Sequence, residues 1–297
     1  MSDFEFIQNP LSNKWVILAP RRASRPDVSK GSKDVCPFCV GREKDEKEVY
    51  RVGGEPGDSN WQIRVLNNKF PFAPIHEIIV HSPDHHKNFG ELDLSSVELI
   101  FKTYRQRYQT NTKDGKVYIF HNRGEAGGES LPHPHSQLVV IPPEVEVDIQ
   151  PSQKIDRNNT ENLETNHFYI LCPETSEWPD EVWMVPKSNI KDQKLKFGEI
   201  TDNEITDLSM SLSRLIQILS LRHGNEFPFN FYISPNKGWY LRITPRLKTL
   251  GGFEIGTGIF VNTQEPKETM NFIKEHFENP NEEKIKSSQQ ALYKKAV

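Results

Sequence analysis

The second half of the chain repeats the pattern of the first half, and this repeat constrains the fold more than any other feature. In the first half, HEIIVHSPDH, a helix-type segment, VYIFHNRG and HSQLVVIPP follow one another; in the second half, DEVWMVPKSN, a helix-type segment, FNFYISPNKG and WYLRITPR follow in the same order. Each half therefore predicts a strand, a helix and two strands. We expect an α+β fold in which units over residues 1–150 and 151–297 share one sheet with helices packed on it. The alternative is chance similarity between amphipathic segments.

The helix-type segments carry signals for their first turns. In LSSVELIFKTYRQRY the apolar residues recur with a helical period, and Ser95 with Glu98 forms the predicted capping box. In the second half, Thr201 and Glu204 form the corresponding pair. A further helix is predicted for PKETMNFIKEHF, because proline is favoured in a first helical turn.

Charge and hydropathy exclude two classes of partner. The 297 residues carry a formal net charge of -4, which gives no electrostatic footprint for nucleic acid. No run of 18 apolar residues is present, so no membrane span is expected. The beginning of the chain is acidic where a signal peptide needs basic residues, and we therefore expect a cytoplasmic protein.

The segment CPFC is a candidate half of a metal site. Cys36 and Cys39 have the two-residue spacing that lets one turn present two thiolates to a tetrahedral zinc ion. A structural site needs two further ligands, and the spacing alone leaves these candidates open: His81, His85, His86, His133 and His135. The alternative is that the two cysteines are reduced surface thiols or a redox pair.

The segment HPHSQ is the second chemical signal. On a strand, His133, His135 and Gln137 share one face while Pro134 and Ser136 point away. Both histidines could be metal ligands or hydrogen-bonded scaffold; alternatively one binds metal and the other is a nucleophile. Neutral imidazole dominates at pH 7 and is well suited to attack phosphorus. The second half has no such pair, so we expect one site per chain, built on the first half.

These motifs together resemble a known family. The segment FHNRGEAGGESLPHPHSQ is similar to the active-site strand of galactose-1-phosphate uridylyltransferase, a branch of the histidine triad superfamily. WVILAPRRASRP, CPFC, VLNNKF, HEIIVHSPDH and GGFEIGTG occur around it in that family's order, over roughly residues 4–260. The resemblance implies two tandem histidine-triad-like units, a mostly antiparallel sheet and a homodimer. The second unit would be degenerate and contribute hexose-side residues.

The resemblance also implies the chemistry of individual residues. His135 would be the nucleophile of a two-step reaction, and Gln137 and Ser130 would bind the transferred phosphoryl group. The implied zinc ligands are Cys36, Cys39, His85 and His133. Neutral hydrogen-bond donors suit the phosphoryl oxygens because they stabilise developing negative charge.

Substrate-binding positions follow from the same resemblance. Arg22 and Arg25 match a pair that reaches a sugar or nucleotide phosphate across the family's dimer interface; a solvated basic turn is the alternative. Asn67 and Asn68 match contacts to the base and ribose. Three positions match the hexose side of the site: Lys248, Phe253 and Glu254.

The implied function is transfer of a nucleoside monophosphate between a nucleotide sugar and a hexose 1-phosphate, as in the UDP-glucose reaction of galactose metabolism. Gln137 favours transfer over hydrolysis. The hydrolase branches of the superfamily carry a third histidine at this position, which gives His-x-His-x-His, whereas the transferases resemble this chain in having glutamine. Lys69 and Glu129 depart from an aspartate and a cysteine of the best-known bacterial enzymes, and GWYLRITPR lacks the histidines of their second metal site. CPFCVGRE and GGFEIGTG are similar to the ADP-glucose phosphorylase sub-branch, in which phosphate accepts AMP. Two alternatives from other classes are a zinc-stabilised nucleotide-binding protein and a hydrolase.

Overall fold

The computed structural model describes residues 4–12, 14–24, 35–150, 152, 161–188 and 196–278. The strands are β1 Glu5–Gln8, β2 Trp15–Leu18, β3 Glu48–Val52, β4 Ile63–Asn67, β5 Ile75–Val80, β6 Lys116–Arg123, β7 His135–Ile141, β8 Asn162–Glu164, β9 Phe168–Leu171, β10 Val182–Pro186, β11 Phe229–Ile233 and β12 Leu241–Pro245. The helices are α1 Leu94–Asn111, α2 Asp202–His223, α3 Gly252–Thr257 and α4 Pro266–Phe277. Within these described ranges, no helix has both the length and the apolar character needed to cross a membrane.

Ten strands form one antiparallel sheet, in the order β3-β4-β5-β7-β6-β11-β12-β10-β9-β8. The order is symmetric about the central pair β6 and β11, so each half contributes five strands in corresponding positions. A separate hairpin joins β1 to β2. The predicted α+β fold with two tandem units is therefore confirmed, whereas the boundary at residue 150 stays a prediction.

The helices cover one face of the large sheet. Because side chains alternate along β7, Leu138 and Val140 point toward the helices. They belong to the main buried core together with residues of α1 and α2. His135 and Gln137 of the same strand project to the opposite face. The sheet thus separates a hydrophobic core from the face that carries the candidate site.

The helix starts agree only partly with the predicted caps. Thr201 accepts a hydrogen bond from the Glu204 backbone N–H, and the Glu204 carboxylate accepts one from the Thr201 N–H, which confirms that capping box. For α1 the cap is instead Asp93, whose carboxylate accepts from the Ser96 N–H at 2.8 Å. The prediction of Ser95 was wrong because the carboxylate two residues earlier is a strong acceptor at a helix start, and it also takes the Ser95 hydroxyl.

A buried ion pair joins α1 to the sheet. Arg107 Nε donates to Glu77 Oε2 at 2.9 Å, and the second guanidinium nitrogen donates to the other carboxylate oxygen. We expect Arg107→Met to lower the free energy of unfolding by about 3–5 kcal/mol, because Glu77 would stay buried without its cation. Denaturant unfolding measures this. Lys102→Met, which removes a more exposed partner of Glu98, should cost less than about 1 kcal/mol; equal effects would contradict the prediction.

Candidate active site and metal centre

The strand β7 presents the HPHSQ motif as the alternation predicts. His135 and Gln137 lie on the face away from the helices, and both line the same cleft. Ser136 points into the core, where its hydroxyl lies 2.8 Å from His81 Nε2 and also bonds the Tyr104 hydroxyl. The strand therefore presents two largely buried side chains, His135 and Gln137, to the cleft, while a buried polar network holds its other face.

Four side chains come together next to the beginning of β7. One ligand atom from each lies within 4.8 Å of every other, in a cluster of Cys36, Cys39, His85 and His133. Cys39 Sγ lies 3.1 Å from His85 Nδ1 and 3.7 Å from His133 Nδ1. Ligands of a tetrahedral zinc ion lie roughly 3.3–3.8 Å from one another, so the cluster has suitable dimensions.

The protonation of the cluster also fits a metal ion. His133 Nε2 lies 2.8 Å from the Ser82 carbonyl oxygen, which can only accept, so Nε2 carries the proton and Nδ1 faces the thiols without one. Burial lowers the pKa of His133 to about 4. Burial also raises the pKa of the Cys36 thiol to about 11, and a divalent cation is the partner that would favour its thiolate. The donor set therefore suits zinc.

His135 is held by hydrogen bonds at both its ring and its main chain. Its Nδ1 donates to the His133 carbonyl oxygen at 2.8 Å, and its own carbonyl oxygen accepts from His121 Nδ1 at 2.9 Å. The ring also contacts Phe38 edge to face, with centroids 5.3 Å apart. Because Nδ1 carries the proton of the neutral ring, Nε2 is in the unprotonated, nucleophilic form.

The cleft beside His135 has a volume of about 360 Å³. It brings together three of the predicted ligand contacts, Gln137, Ser130 and Asn68, with Lys69 at its rim. Its remaining lining includes Val35, Pro37, Phe38, Arg42, Phe70, Ile78 and Leu131. A mostly apolar cleft with a few convergent polar groups is typical of a small-molecule site.

Neither Arg22 of the predicted arginine pair nor Asn67 lines this cleft. Arg22 Nη1 donates to the Phe70 carbonyl oxygen, and its guanidinium lies 4.7 Å from the centroid of the Phe72 ring, so it lies behind the cleft wall of its own chain. Arg25 lies outside the described residues. Asn67 is paired with Glu77 in the β4–β5 register, which puts it on the helix-covered face rather than on the cleft face.

The predicted hexose-side residues form a separate group around α3. Lys248 Nζ lies 3.5 Å from Glu254 Oε1, and Glu254 Oε2 accepts from the Gly251 N–H at 3.0 Å. Phe253 is 55% exposed. The structure therefore does not bring Lys248, Phe253 or Glu254 into the cleft of the same chain, and their role stays a prediction.

Three residues near the site were not anticipated from the sequence. Phe38, between the two cysteines, packs on His135, and an aromatic residue inside CPFC was the only signal for it. His121 supports the His135 main chain; burial lowers its pKa to about 3, so it stays neutral. His76 of β5 lies 2.9 Å from Gln137 Oε1. Its alternation with Ile78 and Val80 could have indicated the cleft face.

Comparison with known proteins agrees with this geometry. Residues 73–141 match the model of the galactose-1-phosphate uridyl transferase N-terminal domain. The chain is 28% identical to ADP-glucose phosphorylase from Arabidopsis thaliana, over 91% of this chain and 92% of the relative. It is 26% identical to galactose-1-phosphate uridylyltransferase from Thermotoga maritima, over 91% and 98%. A crystal structure of Arabidopsis thaliana ADP-glucose phosphorylase with bound ADP-glucose superimposes with a TM-score of 0.69 and 26% identity, over 92% of this chain and 99% of that chain.

The fold and the site together define a class of protein. Its members are α+β proteins with two similar units, and a cluster of cysteines and histidines that could bind a metal lies beside a histidine on a strand. The resemblance inferred from the motifs is confirmed. In sequence and in fold the chain is similar to the nucleotidyltransferase branch that contains galactose-1-phosphate uridylyltransferase and ADP-glucose phosphorylase.

Proposed function

We propose that this chain transfers a nucleoside monophosphate from a nucleotide sugar to a phosphate-bearing acceptor through a covalent intermediate on His135. One observation carries the proposal: the His135 Nδ1 proton is engaged by the His133 carbonyl oxygen at 2.8 Å inside a ligand-sized cleft. This bond fixes the neutral tautomer whose Nε2 can attack phosphorus.

The reaction has two balanced steps. In the first, Nε2 attacks the α-phosphorus of the nucleotide sugar; a phosphorus–nitrogen bond forms, and the bond to the sugar phosphate breaks. In the second, an acceptor phosphate oxygen attacks the same phosphorus, and the bond to His135 breaks. Gln137 and Ser130 donate hydrogen bonds to the phosphoryl oxygens, whose negative charge develops in both steps. A zinc ion on the Cys/His cluster has a structural role, tying the CPFC loop to the beginning of β7.

Two combinations of nucleotide-sugar donor and phosphate-bearing acceptor are candidates for the substrates. Adenylyl transfer from ADP-glucose to phosphate is the first, supported by the Arabidopsis thaliana relative and the solved structure that holds ADP-glucose. Uridylyl transfer from UDP-glucose to galactose 1-phosphate is the second, supported by the Thermotoga maritima relative, which the chain covers almost completely.

A substrate panel is expected to separate the two candidates. Turnover should occur with ADP-glucose and phosphate, and be at least about tenfold slower with UDP-glucose and galactose 1-phosphate. The reverse ratio would establish the second candidate. Labelled glucose 1-phosphate should exchange into the nucleotide sugar without an acceptor, since the first step is reversible. Binding without exchange would identify a nucleotide-binding protein, and release of free nucleoside monophosphate alone would identify a hydrolase.

A homodimer is part of the proposal. Four exposed apolar side chains lie close together in the sequence, on and after α3: Phe253, Ile255, Ile259 and Val261. An exposed apolar segment supports an interface, and in the proposed dimer a second copy brings Lys248 and Glu254 to the cleft of its partner.

A further inference from the structure

His76 occupies a buried position between two cleft-lining amides. It is 5% exposed, and its ring packs edge to face on Phe72 with centroids 4.3 Å apart. Its Nε2 lies 2.9 Å from Gln137 Oε1 and 3.0 Å from Asn68 Nδ2. His76 thus lies in contact with both the amide expected on the phosphoryl group and the amide expected on the nucleoside.

A main-chain contact indicates where the His76 proton lies. The Phe72 backbone N–H points at Nδ1 across 3.4 Å, and a backbone N–H can only donate. Nδ1 therefore acts as the acceptor, and the proton of the neutral ring is on Nε2. From there it is donated to Gln137 Oε1.

This proton fixes which end of the Gln137 amide faces the cleft. With Oε1 occupied by His76, the Gln137 NH₂ group is left for a ligand. Without that donor, the amide can turn over and present its oxygen to a phosphoryl oxygen, which is repulsive. Asn68 Oδ1 accepts from the Phe70 N–H at 2.8 Å, which turns the Asn68 NH₂ group toward His76 Nε2 at 3.0 Å; because both groups then carry protons, this contact is not a hydrogen bond.

We propose that His76 is a positioning residue that orients the Gln137 amide so that its N–H groups bind the transferred phosphoryl group. The proposal rests on the proposed function for its kinetic consequence, but the tautomer it requires does not depend on any activity.

The kinetic test compares two substitutions at His76. His76→Phe keeps a ring on Phe72 but removes the donor, and it should slow formation of the nucleotidyl adduct by about 10²-fold, with binding of the nucleotide sugar changed less than about threefold. His76→Gln places an amide N–H near the Nε2 position and should recover most of the rate. Equal losses in both variants would overturn the proposal, because a purely structural role predicts no selective recovery.

A double-mutant cycle shows whether His76 acts through Gln137. In a Gln137→Ala background, His76→Phe should reduce the remaining rate by less than about threefold, since the amide it orients is gone. The same loss of about 10²-fold in both backgrounds would overturn the proposal. Thermal unfolding and zinc content of each variant establish that the fold and the metal cluster are retained.

An activity-independent measurement separates this proposal from the proposed function. In ¹⁵N-histidine NMR spectra, assigned by the signal lost in His76→Phe, His76 should be the Nε2–H tautomer. An Nδ1–H tautomer would overturn the proposal even in a fully active enzyme. Conversely, an Nε2–H tautomer in a protein that forms no adduct would contradict the proposed function alone.

Discussion

Replacing His135 with asparagine is expected to lower turnover by about 10⁴-fold or more and to remove the covalent nucleotidyl adduct. Asparagine can still donate to the His133 carbonyl oxygen from the position of Nδ1, so the main chain at the beginning of β7 should be retained. What it lacks is the ring nitrogen that attacks phosphorus. The adduct is measured by incubation with nucleotide sugar labelled in the α-phosphate, followed by denaturation at alkaline pH, where a phosphoramidate survives.

The controls for His135→Asn address folding and the site of labelling. His167→Asn, at a half-buried histidine of the second half, should keep the adduct and the turnover. The His135→Asn protein should also bind as much zinc as the unsubstituted protein, because His135 is not among the four clustered side chains. Label that remained bound to His135→Asn would show that another residue carries the nucleotidyl group and that the assignment to His135 is wrong.

The fold was predictable because its signals are local and occur twice. Apolar alternation predicted strands, and the order of segments predicted a strand, a helix and two strands in each half, sharing one sheet. The structure adds two outer strands to each half, β3 and β4 in the first and β8 and β9 in the second. The cap of α1 was missed because aspartate and serine are both good caps, and Asp93 precedes Ser95 by only two residues. Local sequence alone does not rank adjacent candidates of similar strength.

The site was predictable where it depends on one strand and unpredictable where it depends on pairing. The faces of His135, Ser136 and Gln137 follow from alternation within β7. The choice among neighbouring histidines does not, and it needed the resemblance: His81 bonds Ser136 and Tyr104 in the core, whereas His85 joins the cysteines. His76 was missed because its contact with Gln137 arises from the register of β5 on β7, which brings together residues 61 positions apart.

Replacing Cys36, a proposed metal ligand, is expected to lower both metal binding and stability. Cys36→Ala should reduce bound zinc from one ion per chain to less than about one tenth. If free zinc is about 1,000-fold above its dissociation constant, this removes about 4 kcal/mol of stabilisation and lowers Tm by about 10 °C. Activity should fall as well, because the CPFC loop carries Phe38 against the His135 ring. Metal analysis and thermal unfolding measure both effects.

Cys172→Ala is the matched control for this loss. Cys172 is buried in the main core and is not part of the metal cluster, so its variant should keep one zinc ion and lose only about 1 kcal/mol from the missing sulfur.

Acid should reproduce the effect of Cys36→Ala in the native protein. Binding of zinc requires thiolates, and burial raises the pKa of Cys36 to about 11, so protons compete more strongly as the pH falls. The stabilisation by zinc should therefore weaken as the pH falls; zinc retained by Cys36→Ala, or a Tm independent of chelator, would rule out a structural metal in this cluster.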